Sequence, residues 1–151
     1  LMRVIIQRVK QASVEVDNSI ISSIKKGMVV LLGIESEDNQ EDIDWISNKI
    51  SHFRIFDDIN KVMNNSIMDI NGEMIIISQF TLHASTKKGN RPSYIRAAKS
   101  EFAQNLYNKF LNSIENKTNM KPKAGIFGAD MLVKIDNDGP VTIFIDSKNK
   151  E

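Results

Sequence analysis

The chain has 151 residues and a formal net charge of +1, with 41% hydrophobic and 26% charged residues. These values are ordinary for a globular protein and exclude a chain that is basic throughout, while the absence of cysteine excludes disulfides and thiolate catalysis. The longest apolar runs are too short to span a bilayer. We therefore expect one domain over residues 1–151.

The first third of the chain predicts strands joined by short turns. A strand-like MRVIIQRVK leads into 12–17, where valines alternate with polar residues as in a half-buried strand. Turn residues at 17–19 and 25–27 then lead to the apolar stretch MVVLLGI at 28–34. Strands that are joined by turns this short are usually antiparallel neighbours in a sheet.

An acidic stretch at 35–44 precedes a set of apolar residues at helical spacing. Ile43, Ile46, Ile50 and Phe53 recur three and four residues apart and form a stripe on one face. Carboxylates in the first turns of a helix interact favourably with its dipole. We therefore expect a first helix here, and its acidity needs no ligand to explain it.

The segment EMIIISQFTLH at 73–83 predicts a central strand that follows an Asn-Gly turn. The strand changes from apolar to polar at Ser78, Gln79 and Thr81. In strand geometry Gln79 and Thr81 share a face, where they could orient a ligand, and a threonine hydroxyl could attack a carbonyl. The alternative is a strand that leaves the core with its polar face in water.

A basic segment at 83–100 contains no acidic residue. It is either a local phosphate-binding surface or a solvated face. Pro92 suits the first turn of a helix, and we expect a second helix from about Ser93 to Asn116. Its predicted apolar stripe consists of Ile95, Ala98, Phe102, Leu106, Phe110 and Ile114.

The last two predicted strands flank Gly139-Pro140. The stretches MLVKID at 131–136 and VTIFID at 141–146 are both strand-like, and local rules make NDGP a turn between them. Together the elements predict an α+β fold: a curved, mostly antiparallel sheet or partial β-barrel with two main helices packed on it.

Conventional catalytic groups are scarce. The chain has two histidines, and neither forms a metal-ligand pair. We expect a structural role for His52 on the first helix, while His83, which follows the central strand and opens the basic segment, is the better site candidate. There is no GxSxG elbow, GxGxxG loop or Walker lysine. Side chains alone therefore indicate no enzyme class, and no metal or cofactor site.

Two motifs, SQFTL at 78–82 and NDGPVT at 137–142, together resemble the D-aminoacyl-tRNA deacylases. The likeness continues in order through MRVIIQRVKQASVEVD, GMVVLLGI, TKKGNRPSY and GIFGADMLVKIDNDGPVT. It covers essentially all 151 residues, with both motifs intact.

The resemblance implies an enzyme that hydrolyses the ester between a D-amino acid and the 3′-terminal adenosine of tRNA. It also implies clearance of glycine from mischarged alanine tRNA, a cytoplasmic homodimer, and no metal or organic cofactor. On this chain Ser78, Gln79, Phe80 and Thr81 are expected to line the pocket for the adenosine and the ester.

The resemblance further implies that Gly139 and Pro140 form a chiral filter. Their peptide bond is expected to be cis and to reach into the pocket of the other subunit, with Asn137, Val141 and Thr142 in support. Carbonyls of a rigid backbone can capture the amino group of the substrate while an L side chain clashes with the same wall. A D side chain then makes no contact with the filter and is accepted whatever its identity, and glycine, which has no side chain, is accepted too.

Two mechanisms and two rival functions remain open at the level of sequence. Either Thr81 is the nucleophile, or the 2′-hydroxyl of the tRNA assists while the protein supplies position and electrostatics, which the resemblance favours. The rivals are an RNA-binding module without catalysis and a structural dimer in which NDGPVT is only an interface turn.

Four basic residues are expected to contact the tRNA backbone: Lys87, Lys88, Arg91 and Arg96.

Overall fold

In the computed structural model, which describes residues 1–151, a six-stranded mixed sheet carries two helices on one face. The elements in chain order are β1 (Arg3–Val16), β2 (Ser19–Ile24), β3 (Gly27–Gly33), α1 (Gln40–His52), β4 (Phe56–Asp57), β5 (Met63–Asn65), β6 (Glu73–Ser78), a 3₁₀ helix (Phe80–His83), α2 (Ser100–Thr118), β7 (Lys123–Ala124) and β8 (Leu132–Asp146). The short strands β4 and β5 form a separate antiparallel pair.

The sheet is built around β1. The first half of β1 pairs with β3 and its second half with β2, both antiparallel, while its other edge pairs antiparallel with β8. Because β1 changes partner along its length, the sheet bends there, and β2 curls back towards β6 and β7. The hydroxyl of Ser22 on β2 donates to the carbonyl of Ala124 on β7 at 2.6 Å. The predicted curved sheet with two helices is confirmed.

The two pairings of β6 are parallel, in contrast to those of β1. β6 lies between β3 and β7 and runs parallel to both. The connection from β3 to β6 passes through α1, which supplies the crossover that parallel neighbours need. The sheet is therefore mixed, with antiparallel pairs around β1 and parallel pairs around β6.

Two apolar clusters hold these elements together. The larger one lies between the sheet and the two helices, and the smaller one lies on the other face, where β2 curls over. Ile43, Ile46 and Ile50 of α1 are fully buried in the larger cluster, which confirms the stripe predicted for the first helix. Neither α1 nor α2 has the length and apolar character that a membrane crossing requires.

A capping box sets the start of α1. The side chain of Asn39 accepts a hydrogen bond from the N–H of Glu41, and the carboxylate of Asp42 accepts one from the N–H of Asn39, both at 2.9 Å. These contacts satisfy N–H groups that a helix start leaves without partners. They also account for part of the acidity of this stretch.

The predicted start of the second helix at Ser93 is wrong, because α2 begins at Ser100. Residues 93–98 are held in an irregular path by backbone bonds to other segments. Ser93 and Ser85 exchange two hydrogen bonds, and the N–H of Ala98 donates to the carbonyl of Ile34 at 3.0 Å. Ile95, predicted to belong to the helical stripe, is 88% exposed.

The predicted strand 73–83 ends early, at Ser78. The N–H of Gln79 makes the last ladder bond, to the carbonyl of Leu32 at 2.7 Å, and the chain then turns into the 3₁₀ helix. The strand alternation expected for 78–82 is therefore wrong. Gly33 permits this packing, because a Cβ there would stand 2.9 Å from the Cβ of Leu82.

The predicted hairpin turn at Gly139-Pro140 is also wrong. Residues 132–146 form one strand, β8, which stays paired with β1 on both sides of the dipeptide. Between the pairs Gln7–Thr142 and Val9–Asn137, β1 advances by two residues while β8 advances by five. The extra residues leave the ladder as a bulge.

Candidate active site

The end of β6 lines a cavity of about 450 Å³. Residues 77–80 supply one side, and Ile34, the start of α2 and the segment that leads into β8 supply the others. The lining residues are Ile34, Ile77, Ser78, Gln79, Phe80, Ser100, Ala103, Phe127, Gly128, Ala129, Met131 and Val133. A concave, mostly apolar pocket with a few polar groups is the usual form of a small-ligand site.

The segment 127–131 is a wall of this cavity to which no role was predicted. Phe127 is placed by Tyr107 of α2, whose ring centroid lies 5.8 Å away. The hydroxyl of Tyr107 donates to the carbonyl of Ile76 at 2.7 Å. Burial raises the pKa of Tyr107 to about 12, so the phenol stays protonated and keeps this bond. The only sequence signal was that this segment belongs to the stretch that carries the family resemblance.

Thr81 lies beside the cavity and does not line it. Its hydroxyl oxygen accepts a hydrogen bond from the side-chain amide of Gln79 at 2.6 Å. No carboxylate or imidazole hydrogen bonds to this hydroxyl. Of the four predicted catalytic residues, the structure thus brings three to the cavity and holds the fourth next to them.

Phe80 projects at the mouth of the cavity and is 53% exposed. Its ring meets that of Tyr94 edge to face, with centroids 5.0 Å apart and an angle of 75° between the planes. This is a favoured geometry for aromatic pairs. The irregular segment before α2 therefore supports one wall of the cavity.

The two histidines have different surroundings. His83 ends the 3₁₀ helix and is fully buried, and burial lowers its pKa. The pKa of His83 is also shifted upward by the charges of Glu35 and Asp38 and downward by that of Arg3, but burial has the largest effect. His52 is exposed on α1, where its Nδ1 lies 2.9 Å from the carbonyl of Asn48.

The bulge of β8 presents Gly139 and Pro140 to solvent, joined by a cis peptide bond. The prediction of a cis bond is confirmed. Gly139 has a φ of 120°, a value that side-chain-bearing residues rarely adopt. At the base of the bulge the side-chain amide of Asn137 donates to the hydroxyl of Thr142 at 3.0 Å.

Arg8 of β1 holds the bulge from inside, a contact that the sequence did not reveal. Its Nε donates to the carbonyl of Asp138 at 3.3 Å, and its Nη1 donates to the carbonyl of Ile55 at 2.7 Å. The side chain of Arg8 is 9% exposed, and it also lies 3.4 Å from the carboxylates of Asp57 and Asp138. The position of the bulge is therefore fixed by a buried guanidinium.

Neither Gly139 nor Pro140 lines the cavity of its own chain. The resemblance assigns SQFTL and NDGPVT to the same site, but a single chain does not bring the two motifs together. Within one chain, the exposed bulge and the cavity are separate surfaces.

The predicted tRNA-contacting residues fall into two groups. Lys87, Lys88 and Arg91 are exposed in a loop closed by the backbone bonds between Ser85 and Ser93. Arg96 instead forms an ion pair with Glu35, with Nη2 and Nε 2.7 and 2.8 Å from one carboxylate oxygen. Three cations therefore remain free for an anionic partner, and the charge of the fourth is compensated.

The sequence model for D-Tyr-tRNA(Tyr) deacylase matches residues 5–146. A protein of Flavobacterium psychrophilum named D-aminoacyl-tRNA deacylase is 61% identical, over 99% of this chain and 100% of its own length. A protein of the same name from Bacteroides fragilis is 59% identical over the same shares.

Two solved structures share the fold. One, titled c-Myc DNA Unwinding Element Binding Protein, has a TM-score of 0.90 at 41% identity, covering 95% of this chain and 97% of the other. A probable eukaryotic D-amino acid tRNA deacylase has a TM-score of 0.81 at 17% identity, covering 95% and 98%. At that identity the second likeness concerns the fold alone.

Proposed function

The chain belongs to the D-Tyr-tRNA(Tyr) deacylase family, and we propose that its site removes D-amino acids and glycine from tRNA while sparing L-amino acids. As a family member the chain is a hydrolase that acts on the ester of D-aminoacyl-tRNA. The finer assignments are our proposal: the residues of the site, clearance of glycyl-tRNA(Ala), the homodimer, the cytoplasmic location, and one domain over 1–151.

One observation carries the proposal: a fixed and exposed bulge lies outside the cavity of its own chain. Arg8 and Asn137 hold this bulge from the inside, so its outer surface is free. In a two-fold dimer each chain gives the same surface to the other. Gly139 and Pro140 of one chain then close the cavity beside Gln79 of the partner.

The surface next to the bulge supports such a dimer. Phe144 on β8 is 56% exposed and pairs with Ile5 on β1, which pairs in turn with Leu31 on β3. Directly paired residues present their side chains on one face of a sheet. This gives a row of apolar side chains across three strands, and we propose that a second copy of the chain covers it.

In this dimer the backbone carbonyls of Gly139 and Pro140 select the substrate by the configuration of its α-carbon. They hold the amino group, and the wall that they form leaves no room for an L side chain. Rejection by a clash requires no recognition of the D side chain, so many D-amino acids are accepted. Glycine has no side chain and is also accepted. Asn137, Val141 and Thr142 keep the bulge in place.

The chemistry requires little from protein side chains. An aminoacyl ester is already activated, and we propose that the 2′-hydroxyl of the terminal adenosine assists its hydrolysis. Backbone N–H groups stabilise the developing oxyanion. The N–H of Gln79 is already bonded to Leu32, which leaves the amides of Ser78 and Phe80 as the proposed donors. Thr81, which has no base beside it, supports the position of Gln79.

The exposed loop of Lys87, Lys88 and Arg91 is proposed to contact the tRNA phosphates next to the acceptor end. Phosphate neutralisation releases counterions, so binding should weaken as salt is added.

A hydrolysis assay tests the proposed function. The purified protein is incubated with D-tyrosyl-tRNA, L-tyrosyl-tRNA and glycyl-tRNA(Ala), and loss of each ester is followed over time. We expect the D-tyrosyl and glycyl esters to be hydrolysed and the L-tyrosyl ester to be spared. Equal hydrolysis of both tyrosyl esters would refute the filter. Binding of all three without hydrolysis would favour the RNA-binding module.

A further inference from the structure

The carboxylate of Glu35 joins segments from both sides of the cavity. Glu35 follows β3, and its side chain is only 14% exposed. One of its oxygens accepts a hydrogen bond from the Nε of Arg96 and lies 2.7 Å from the Nη2 of Arg96, and the Nδ1 of His83 lies 3.9 Å from that same oxygen. The other oxygen contacts the amino group of Leu1. Arg96 precedes α2, while His83 ends the 3₁₀ helix that follows the site residues 78–81.

The segment that carries Arg96 also carries a support of the cavity wall. Tyr94, two residues earlier, makes the edge-to-face contact with Phe80. Backbone contacts attach the same segment to β3, since Glu35 and Ala97 form an isolated bridge and Ala98 bonds to Ile34. Ile34 lines the cavity itself. The ion pair is therefore a side-chain contact that adds to these backbone bonds in holding the segment of Tyr94 beside the cavity.

We propose that Glu35 is a positioning residue of the active site, acting through Arg96 to hold Tyr94 against Phe80 and to aim the Lys87–Lys88 loop. This inference rests on the proposed function, because Phe80 is taken as a wall of the substrate pocket. It assigns Arg96 a different role from the predicted tRNA contact: its charge is used within the protein.

The electrostatics of the pair agree with this role. Burial acts to raise the pKa of Glu35, but hydrogen bonds and charges from the amino terminus and Arg96 outweigh it, and the pKa lies below its usual value. Glu35 is thus ionised at neutral pH, where the carboxylate attracts the guanidinium. A lysine at this position would preserve the charge but not the planar guanidinium, which places two nitrogens 2.7 and 2.8 Å from the carboxylate oxygen.

Three variants test the proposal: Glu35→Gln, Arg96→Gln and the double variant. We expect each single variant to raise KM for D-tyrosyl-tRNA about fivefold with kcat nearly unchanged, since the wall that binds the substrate loosens. We expect the double variant to be no worse than either single one, because the two residues act as one contact. Arg96→Lys should recover part of the loss.

Salt dependence separates positioning from direct phosphate contact. The matched variant is Lys87→Ala with Lys88→Ala, which should lower the slope of log affinity against log salt by about 0.7 for each lost phosphate contact. Arg96→Gln should leave this slope unchanged. A slope that falls for Arg96→Gln as it does for the lysine variant would overturn the proposal, as would effects of Glu35→Gln and Arg96→Gln that multiply.

Limited trypsin digestion gives a readout that does not depend on activity. Trypsin can cleave after Lys87 and Lys88, in the loop that the ion pair is proposed to hold, whereas the bond after Arg91 precedes Pro92 and resists trypsin. We expect Glu35→Gln to speed cleavage there severalfold while tryptic sites within α2 stay protected, because the loosened segment opens locally more often. Unchanged cleavage would overturn the proposal. If the wild-type protein hydrolysed no ester, the proposed function would be wrong. The digestion would still test whether the ion pair between Glu35 and Arg96 holds this segment.

Discussion

The guanidinium of Arg8 lies against Gly139, with its Nη2 3.0 Å from the position that a Cβ on Gly139 would occupy. Arg8 belongs to β1, and Gly139 to the bulge that leaves the β1–β8 ladder. A buried side chain on one strand therefore sets the backbone position on its neighbour. The proposed selection between D and L esters depends on this position, since a filter made of backbone is accurate only if the backbone is held.

Replacing Gly139 by alanine should damage the filter and lower stability. The added Cβ would meet Arg8 and stand 2.9 Å from Cγ2 of Val141, at a φ that alanine rarely adopts. We expect a loss of about 1–3 kcal/mol of unfolding free energy and a marked fall in hydrolysis of the D-tyrosyl ester. Urea unfolding and the ester assay measure the two effects.

Gly89→Ala is the matched control for this prediction. Gly89 also has a positive φ, 65°, but no atom lies within 4 Å of its Cβ position. It should lower stability slightly and leave the ratio of D to L hydrolysis unchanged. If Gly139→Ala behaved like Gly89→Ala in that ratio, the bulge would not be the filter.

Replacing Arg8 by lysine should separate charge from geometry. Lysine keeps the positive charge but cannot reach Ile55 and Asp138 at once with fixed N–H groups. A buried carbonyl left without its donor costs about 1–3 kcal/mol. We expect a loss of stability in that range together with a smaller ratio of D to L hydrolysis. A variant that lost stability but kept the full ratio would show that Arg8 does not set the filter.

Local sequence rules identified the elements that depend on nearby residues. The spacing of Ile43, Ile46 and Ile50 predicted α1, because an apolar stripe is enough to define a helix that packs on a sheet. The alternation at 13–17 likewise predicted the second half of β1. The site motif 78–82 was found through its resemblance, and its first three residues do line the cavity.

Elements that depend on distant residues were predicted wrongly. NDGP is a turn by local rules, yet pairing with β1 continues on both sides of it, so β8 forms a bulge and no hairpin. Pro92 suggested a helix start, but backbone bonds from Ser93 to Ser85 and from Ala98 to Ile34 hold this segment in another path. The contact between Arg8 and the bulge joins residues 130 positions apart and has no local signal.

Thr81 should prove dispensable for the chemical step. Its hydroxyl accepts a bond from Gln79 and has no base beside it, whereas a nucleophile needs one. We expect Thr81→Val to retain hydrolysis of D-tyrosyl-tRNA within a few-fold. A substrate that ends in 2′-deoxyadenosine should instead be cleaved far more slowly by the wild-type protein. Normal cleavage of that substrate, or abolished activity in Thr81→Val, would reverse the assignment.

The stability of the fold should fall below neutral pH because of His83. Burial lowers its pKa from the usual 6.5, so the unfolded chain binds a proton at a higher pH than the folded chain. Unfolding free energy must then decrease as the pH falls from about 6.5 towards the lowered value. The carboxylate of Glu35 has a lowered pKa and loses its contribution only at more acid pH.

Urea unfolding at pH 7.5 and pH 5.5 checks this dependence. We expect lower stability at pH 5.5 in the wild-type protein and a smaller difference in His83→Gln. His52→Gln is the control, since His52 is exposed on α1. An undiminished difference in His83→Gln would assign the pH dependence to other groups.

Complementation between two impaired variants tests the shared site most directly. Gly139→Ala damages the bulge and leaves the cavity intact, whereas Gln79→Ala removes a side chain that lines the cavity and leaves the bulge intact. If the bulge of one chain closes the cavity of another, each mixed dimer contains one intact site, and random pairing makes half of the dimers mixed. Co-refolded in equal amounts, the variants should recover about a quarter of the wild-type rate on D-tyrosyl-tRNA. A mixture no more active than the separate variants would contradict a site shared between subunits.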